Sequence, residues 1–260
     1  MGAEIADVLR RIVERRRERL AAPGADSAGV PPAAETAAAG AFVASLRHHR
    51  GRRVIAEVKL GSPRLGSLVG RVEPERQARL YAAHGAAALS VVVEPDFFHG
   101  SYELLARCRA ASGLPTLAKD FVVDDRQLEW ARRAGAGAVL LIAALYSREE
   151  LTRWAAAARG LGLEVLVELH DPSDLAQLAG GDWPLVGVNN RDLRTFEVDL
   201  GHSERLVPRL PEGALKVAES GLGSPEDLAR LERAGFDAFL IGESLLLAAD
   251  PAAKLRELLG

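Results

Sequence analysis

A repeat does most to limit what this chain can fold into. From Val54 onward, short apolar segments rich in β-branched residues recur near 54–59, 87–93, 115–119, 138–144, 164–169, 185–189, 214–219 and 238–242. Between them lie stretches of helical spacing with legible ends: Pro74 in a first turn, Ser147 with Glu150 three residues on, Asp171 before Pro172, Ser224 before Pro225, and stops at Gly85, Gly113, Gly135 and Gly235. Strand and helix alternating eight times predict a closed parallel barrel. A doubly wound sheet would need a GxGxxG turn after the first strand, and the sequence has none there. The expected fold is therefore α/β, a (β/α)8 TIM barrel over 51–260, behind an N-terminal helical extension over 1–50.

That extension has two parts. Ile5, Val8, Leu9, Ile12 and Val13 recur at helical spacing, and the arginines among them read as the solvated face of an amphipathic helix, offset by Glu14 and Glu18. Residues 21–40, rich in Ala, Pro and Gly, predict a mobile connector, and Phe42 to Arg47 a short helix. A net charge of −3 offers no general attraction to nucleic acid or an acidic membrane. The single cysteine, Cys108, excludes an internal disulfide and fits helix packing. The longest apolar run, Ala138 to Tyr146, falls far short of the roughly 20 residues of a membrane helix, and no secretory signal is visible. A monomeric cytoplasmic enzyme is the expectation.

In such barrels chemistry sits where the strands end. Glu57 and Lys59 end the first, Glu94 the second, and Lys119, Asp120 and Phe121 the third. Glu168 and His170 end the fifth, Asn189, Asn190 and Arg191 the sixth, Glu219, Ser220 and Gly221 the seventh, and Gly242, Glu243 and Ser244 the eighth. Period-2 alternation groups Ile55 with Glu57 and Lys59, Leu117 with Lys119, Leu166 with Glu168, and Val217 with Glu219, so these polar chains point inward with core residues. Ser220, Gly221, Gly223 and Gly242, helped by Ser62 and Lys59 from the first loop, suggest a phosphate seat. The histidines show no metal-ligand spacing, and no serine sits in a nucleophile elbow.

The stretches IAEVK with SP at 62–63, ALSVVVEPDFFHGS at 88–101, LAKDF at 117–121, LEVLVELHD at 163–171, GVNNRDL at 187–193, AESGL at 218–222 and LIGESLL at 240–246 resemble, in this order, indole-3-glycerol-phosphate synthase. The resemblance implies conversion of 1-(2-carboxyphenylamino)-1-deoxyribulose 5-phosphate to indole-3-glycerol phosphate, without metal or external cofactor. It implies Lys119 as general acid for ring closure, Glu168 as base or acid in dehydration, and Lys59 as second acid and substrate holder. Glu57 and Glu219 would orient the lysines and bind sugar hydroxyls, with Asn189 and Arg191 in support. Ser62, Arg191, Ser220, Gly221, Gly242 and Glu243 would bind the phosphorylated end, Phe98, Phe121, Leu140 and Leu193 would form an apolar slot for the anthranilate ring, and the N-terminal extension would help roof that slot. The chain departs from the usual family pattern at Leu60, at Arg64 where a serine is expected after Pro63, at Ala118 and at His99. Those departures leave open a paralogue acting on a substituted anthranilate derivative. A phosphoribosylanthranilate-isomerase type would need an aspartate–cysteine pair, and Cys108 ends no strand. A catalytically silent complex subunit would tolerate loss of Lys119 or Glu168.

Overall fold

The computed structural model describes residues 7–22, 37–192, 195 and 197–260. Its barrel strands are β1 (Arg53–Val58), β2 (Ala88–Val92), β3 (Thr116–Lys119), β4 (Ala138–Ile142), β5 (Glu164–Leu169), β6 (Leu185–Asn189), β7 (Leu215–Glu219) and β8 (Ala238–Ile241). Each pairs in parallel with its sequence neighbour, and β1 closes the ring by pairing with β8, Val54 beside Phe239. The strands have two apolar faces, as a barrel wrapped in helices requires. Ile55, Leu117, Leu140, Leu166, Val217 and Leu240 fill the interior, while Val54, Val58, Leu89, Val91, Leu141, Val167 and Phe239 pack outward.

The helices are α1 (Asp7–Ala21), α2 (Ala41–His48), α3 (Pro74–Ala83), α4 (Tyr102–Ser112), α5 (Asp125–Arg133), α6 (Arg148–Gly160), α7 (Leu200–Leu206), α8 (Pro225–Ala234), α9 (Glu243–Leu246) and α10 (Pro251–Leu259). Their ends follow the local chemistry: Ser147 and Ser224 form capping boxes with Glu150 and Asp227. Gly113 and Gly235 end α4 and α8 in the left-handed conformation. Two local readings are revised. The apolar run at 138–144 is strand only to Ile142, and Ala143–Leu145 turn as a 3-10 helix, because apolarity alone does not separate a strand from a buried turn. After β5 the chain makes a 3-10 helix, Pro172–Leu178, in place of an α-helix.

The extension plugs both ends of the barrel. α2 lies at the end where strands begin: the Phe42 and Val43 amides donate to Glu164 Oε2 at 2.7 and 3.2 Å, Ser45 donates to the Ala87 carbonyl, and Phe42 and Leu46 are fully buried. α1 lies over the opposite end, with Leu9, Ile12 and Val13 buried. The predicted connector falls mostly outside the described residues, as does Ile5. One arginine of α1 contradicts the solvated-face reading. Arg16 is 3% exposed and grips Asp120 with two of its guanidinium nitrogens, Nη2 to Oδ2 at 2.6 Å and Nε to Oδ1 at 3.2 Å. Tyr102 and Gln127 also donate to Asp120 Oδ2, at 2.7 and 2.9 Å. A buried guanidinium is tolerated because its partner is fork-shaped and fully hydrogen-bonded.

Candidate active site

At the C-terminal end of the strands, under α1, lies a cavity of about 380 Å³. Glu57, Lys59, Ser62, Phe98, Lys119, Phe121, Leu140, Glu168, Asn189, Arg191, Ser220, Gly221, Gly242 and Glu243 all line it, so residues far apart in the sequence converge on one cavity. Leu193 lies outside the described residues, and one described member does not reach the wall. Glu219 is completely buried behind Lys119, where it can orient the ammonium but does not face a ligand.

The polar centre is built on Lys119. Its Nζ donates to Glu219 Oε2 at 2.9 Å and stands 3.5 Å from Glu57 Oε2 and 3.8 Å from Glu168 Oε2. Glu57 also takes Lys59 Nζ on its other oxygen at 2.7 Å, so one carboxylate bridges both ammonium groups. Burial works against the charged form of Lys119, but Glu219, Glu57 and Glu168 outweigh it and raise its pKa. For Glu57, burial favours the neutral acid, and the two lysines reverse that and lower its pKa. His170 meets Glu168 Oε1 at 2.5 Å. Burial again favours neutral Glu168, yet the imidazolium and Lys119 hold it below the usual carboxylate range. Burial and the neighbouring Glu168 push Glu219 the other way, upward, with Lys119 only partly opposing. Acids of one kind, side by side, are thereby driven apart in proton affinity, a pattern of acid–base sites.

Two glycines make room for this cluster. A Cβ at Gly187 would overlap Glu219 Oε1, and one at Gly242 would overlap Glu57 Oε1. Gly187 was not among the residues singled out from sequence. Its only signal was a glycine inside a strand, which marks a close approach.

The apolar wall is arranged by an acid at the end of β2. Glu94, completely buried, accepts the amides of Asp96, Phe97 and Phe98 at 2.9, 2.7 and 3.1 Å, folding the loop so that the Phe98 ring lies 6.1 Å from that of Phe121. Val8, Leu9 and Ile12 of α1 complete this side of the cavity. Opposite, Ser220 and Gly221 are consecutive left-handed residues at φ +67 and +76. Asn190 Nδ2 holds that turn by donating to the carbonyls of Glu219 and Ser220 at 3.0 and 3.1 Å. With Gly223, Gly242 and Ser244 on the same wall, this side offers backbone amides and small side chains to an anion.

Fold and site together define a (β/α)8 barrel whose strand ends gather lysines and carboxylates around one cavity, the arrangement of a barrel enzyme. The sequence model of the indole-3-glycerol phosphate synthase family matches residues 9–258. The chain is 44% identical to the indole-3-glycerol phosphate synthase of an Azoarcus species, over 98% of this chain and all of that one. It is 40% identical to that of Chromobacterium violaceum, over 98% of each chain, and 46% identical to that of Magnetococcus marinus, over 80% of this chain and 78% of that one. A thiamine phosphate pyrophosphorylase from Pyrococcus furiosus superposes with a TM-score of 0.57 over 80% of this chain and 93% of that one, at 15% identity, a likeness of fold alone. The chain belongs to the indole-3-glycerol phosphate synthase family, and so to the decarboxylating carbon–carbon lyases. Among the described residues no helix is long and apolar enough to cross a membrane.

Proposed function

We infer that this chain closes, decarboxylates and dehydrates 1-(2-carboxyphenylamino)-1-deoxyribulose 5-phosphate to indole-3-glycerol phosphate with the residues gathered around Lys119. The observation that carries the reading is one ammonium within 4 Å of three carboxylates, Glu57, Glu168 and Glu219, on the wall of a cavity that also holds two phenylalanines and an anion seat.

The ring carbon bearing the carboxylate attacks the ketone carbon, and the ketone oxygen needs a proton as it becomes an alcohol. Lys119, kept charged by its carboxylate neighbours, supplies it. Glu219, whose carboxyl is pushed toward the protonated form, stands 2.9 Å away to restore the ammonium. The aniline nitrogen becomes an iminium that accepts the electron pair left by departing carbon dioxide, so ring aromaticity returns. Dehydration then needs a base for a proton and an acid for the leaving hydroxyl. Glu168, held ionised by His170, is the base, and Lys59 is a second acid tied to the cluster through Glu57. Phe98, Phe121 and Leu140, under Val8, Leu9 and Ile12, take the anthranilate ring and exclude water. Ser62, Arg191, Ser220, Gly221 and Gly242 take the phosphate.

The test is to follow indole fluorescence when purified protein meets the carboxyphenylamino-deoxyribulose phosphate. Turnover by the parent protein and its collapse in Lys119→Ala are expected. Folded parent protein giving no indole signal, or undiminished turnover in the variant, would end the assignment.

A further inference from the structure

An acid at an anion seat is a contradiction that the geometry of Glu243 resolves. Its carboxylate sits on the cavity wall beside Ser62, Ser220, Gly221 and Gly242, where a phosphate would be repelled by it. Yet it faces cations from two separate loops. Arg64 Nε donates to Glu243 Oε2 at 3.2 Å while Arg64 Nη2 pairs with Oε1, and Arg191 Nη2 approaches Oε2 at 3.3 Å from the end of β6. Burial alone would favour the neutral acid, but Arg64, Arg191 and Lys59 hold Glu243 ionised.

Arg64 is placed there by its own loop. Gly61–Ser62 and Gly66–Ser67 pair as a two-stranded ribbon, and the Leu65 amide donates to Ser62 Oγ at 3.0 Å, so the turn carrying Arg64 is folded over the cavity mouth. The Glu243 side chain is 35% exposed, which leaves it a path into solvent when another anion takes its place.

We propose that Arg64 is a further cationic arm of the phosphate seat, and that Glu243 is an internal carboxylate which holds Arg64 and Arg191 aimed at the seat until the substrate's phosphate displaces it. The proposal rests on the reading that this seat takes the phosphorylated end of the substrate. It assigns a binding role to a position where the family pattern leads one to expect serine. Planar guanidinium forks suit phosphate, and the two arginines come from opposite sides of the seat, so a dianion gains from both where one carboxylate must be shared.

The experiment measures inorganic phosphate binding by calorimetry, and KM and kcat for the phosphorylated substrate, in parent, Arg64→Ser and Glu243→Gln proteins, with anthranilate as a carboxylate probe. Arg64→Ser puts back the residue the family pattern expects, which guards against misfolding. It should weaken inorganic phosphate about 5- to 10-fold and raise KM by a similar factor, with kcat changed less than about 2-fold and anthranilate binding unmoved. Glu243→Gln should tighten inorganic phosphate by about 3-fold or more, because the competing charge is gone. Unchanged phosphate affinity in Arg64→Ser, or a selective loss of anthranilate binding, would overturn the assignment of Arg64. Weaker phosphate binding in Glu243→Gln would overturn the displacement role of Glu243. The phosphate titration needs no turnover, so it judges this inference even for a protein that gives no indole signal.

Discussion

Glu164 and Glu168 stand four residues apart on β5, point into the same barrel, and do opposite things. Glu164, where the strand begins, is half-buried against the start of α2 and accepts only neutral backbone amides, from Phe42 and Val43. Burial dominates, and its pKa rises despite those hydrogen bonds. Glu168, where the strand ends, is more deeply buried, yet its neighbours His170 and Lys119 carry charge and its pKa falls. The lesson is that depth alone does not decide whether a buried acid is ionised; the balance of burial against the charges around it does. One end of the barrel uses a carboxylate as mortar for a helix, and the other holds one ionised beside an ammonium and an imidazole.

The largest test of this contrast is functional. Lys119→Ala and Glu168→Gln should each lower kcat by about 10²- to 10⁴-fold in the indole assay, whereas Glu164→Gln should stay within about 3-fold of the parent. Comparable losses at both glutamates would erase the division between the two ends. Next is the clamp over the active end: Arg16→Met strands Asp120 as a buried charge and should cost about 3–5 kcal/mol in urea unfolding, with a higher KM because α1 roofs the cavity. A stability change below about 1 kcal/mol would show that α1 docks by its apolar face alone. Glu164→Ala should lose about 1–2 kcal/mol, read as a lower Tm with kcat retained, since two amides of α2 lose their acceptor.

The smallest effects are in pH. In the proposed reaction Glu168 works ionised, and its lowered pKa then puts the acid limb of kcat below the ordinary glutamate value of about 4.3. His170→Asn removes the nearest cation, so that limb should move to higher pH, while Glu164→Gln should leave it in place. The stability linkages have opposite signs. The contribution of Glu168 is present above its unfolded pKa and is lost as pH falls through the folded one. That of Glu164, whose folded pKa is raised, is present below the unfolded pKa and is lost as pH rises through the folded one. Unfolding of the two glutamine variants across pH 3–7 checks both signs.

Much of the rim was readable before any coordinates. Lys119 follows Leu117 by two positions, and Glu168 follows Leu166, so period 2 alone sent them inward once the parallel barrel was recognised. The arginine run in α1 shows where such reading stops. Arg10, Arg11, Arg15, Arg16 and Arg17 are alike as letters, but Arg16 finds Asp120, 104 residues away. Glu94 likewise looked like one more strand end, and only its three amide donors reveal a loop organiser. Gly187 drew no reading from sequence and is space for a carboxylate from the next strand.

By itself the sequence determined the barrel, the end of it that carries chemistry and the inward parity of each acid and amine, because strand and helix periods are properties of the local backbone. Tertiary structure alone decided which carboxylate bridges two lysines, which retreats behind Lys119, and which becomes the counter-ion of two arginines. Those outcomes depend on separations of a few ångströms between strands remote in sequence, and only closure of the barrel sets those separations.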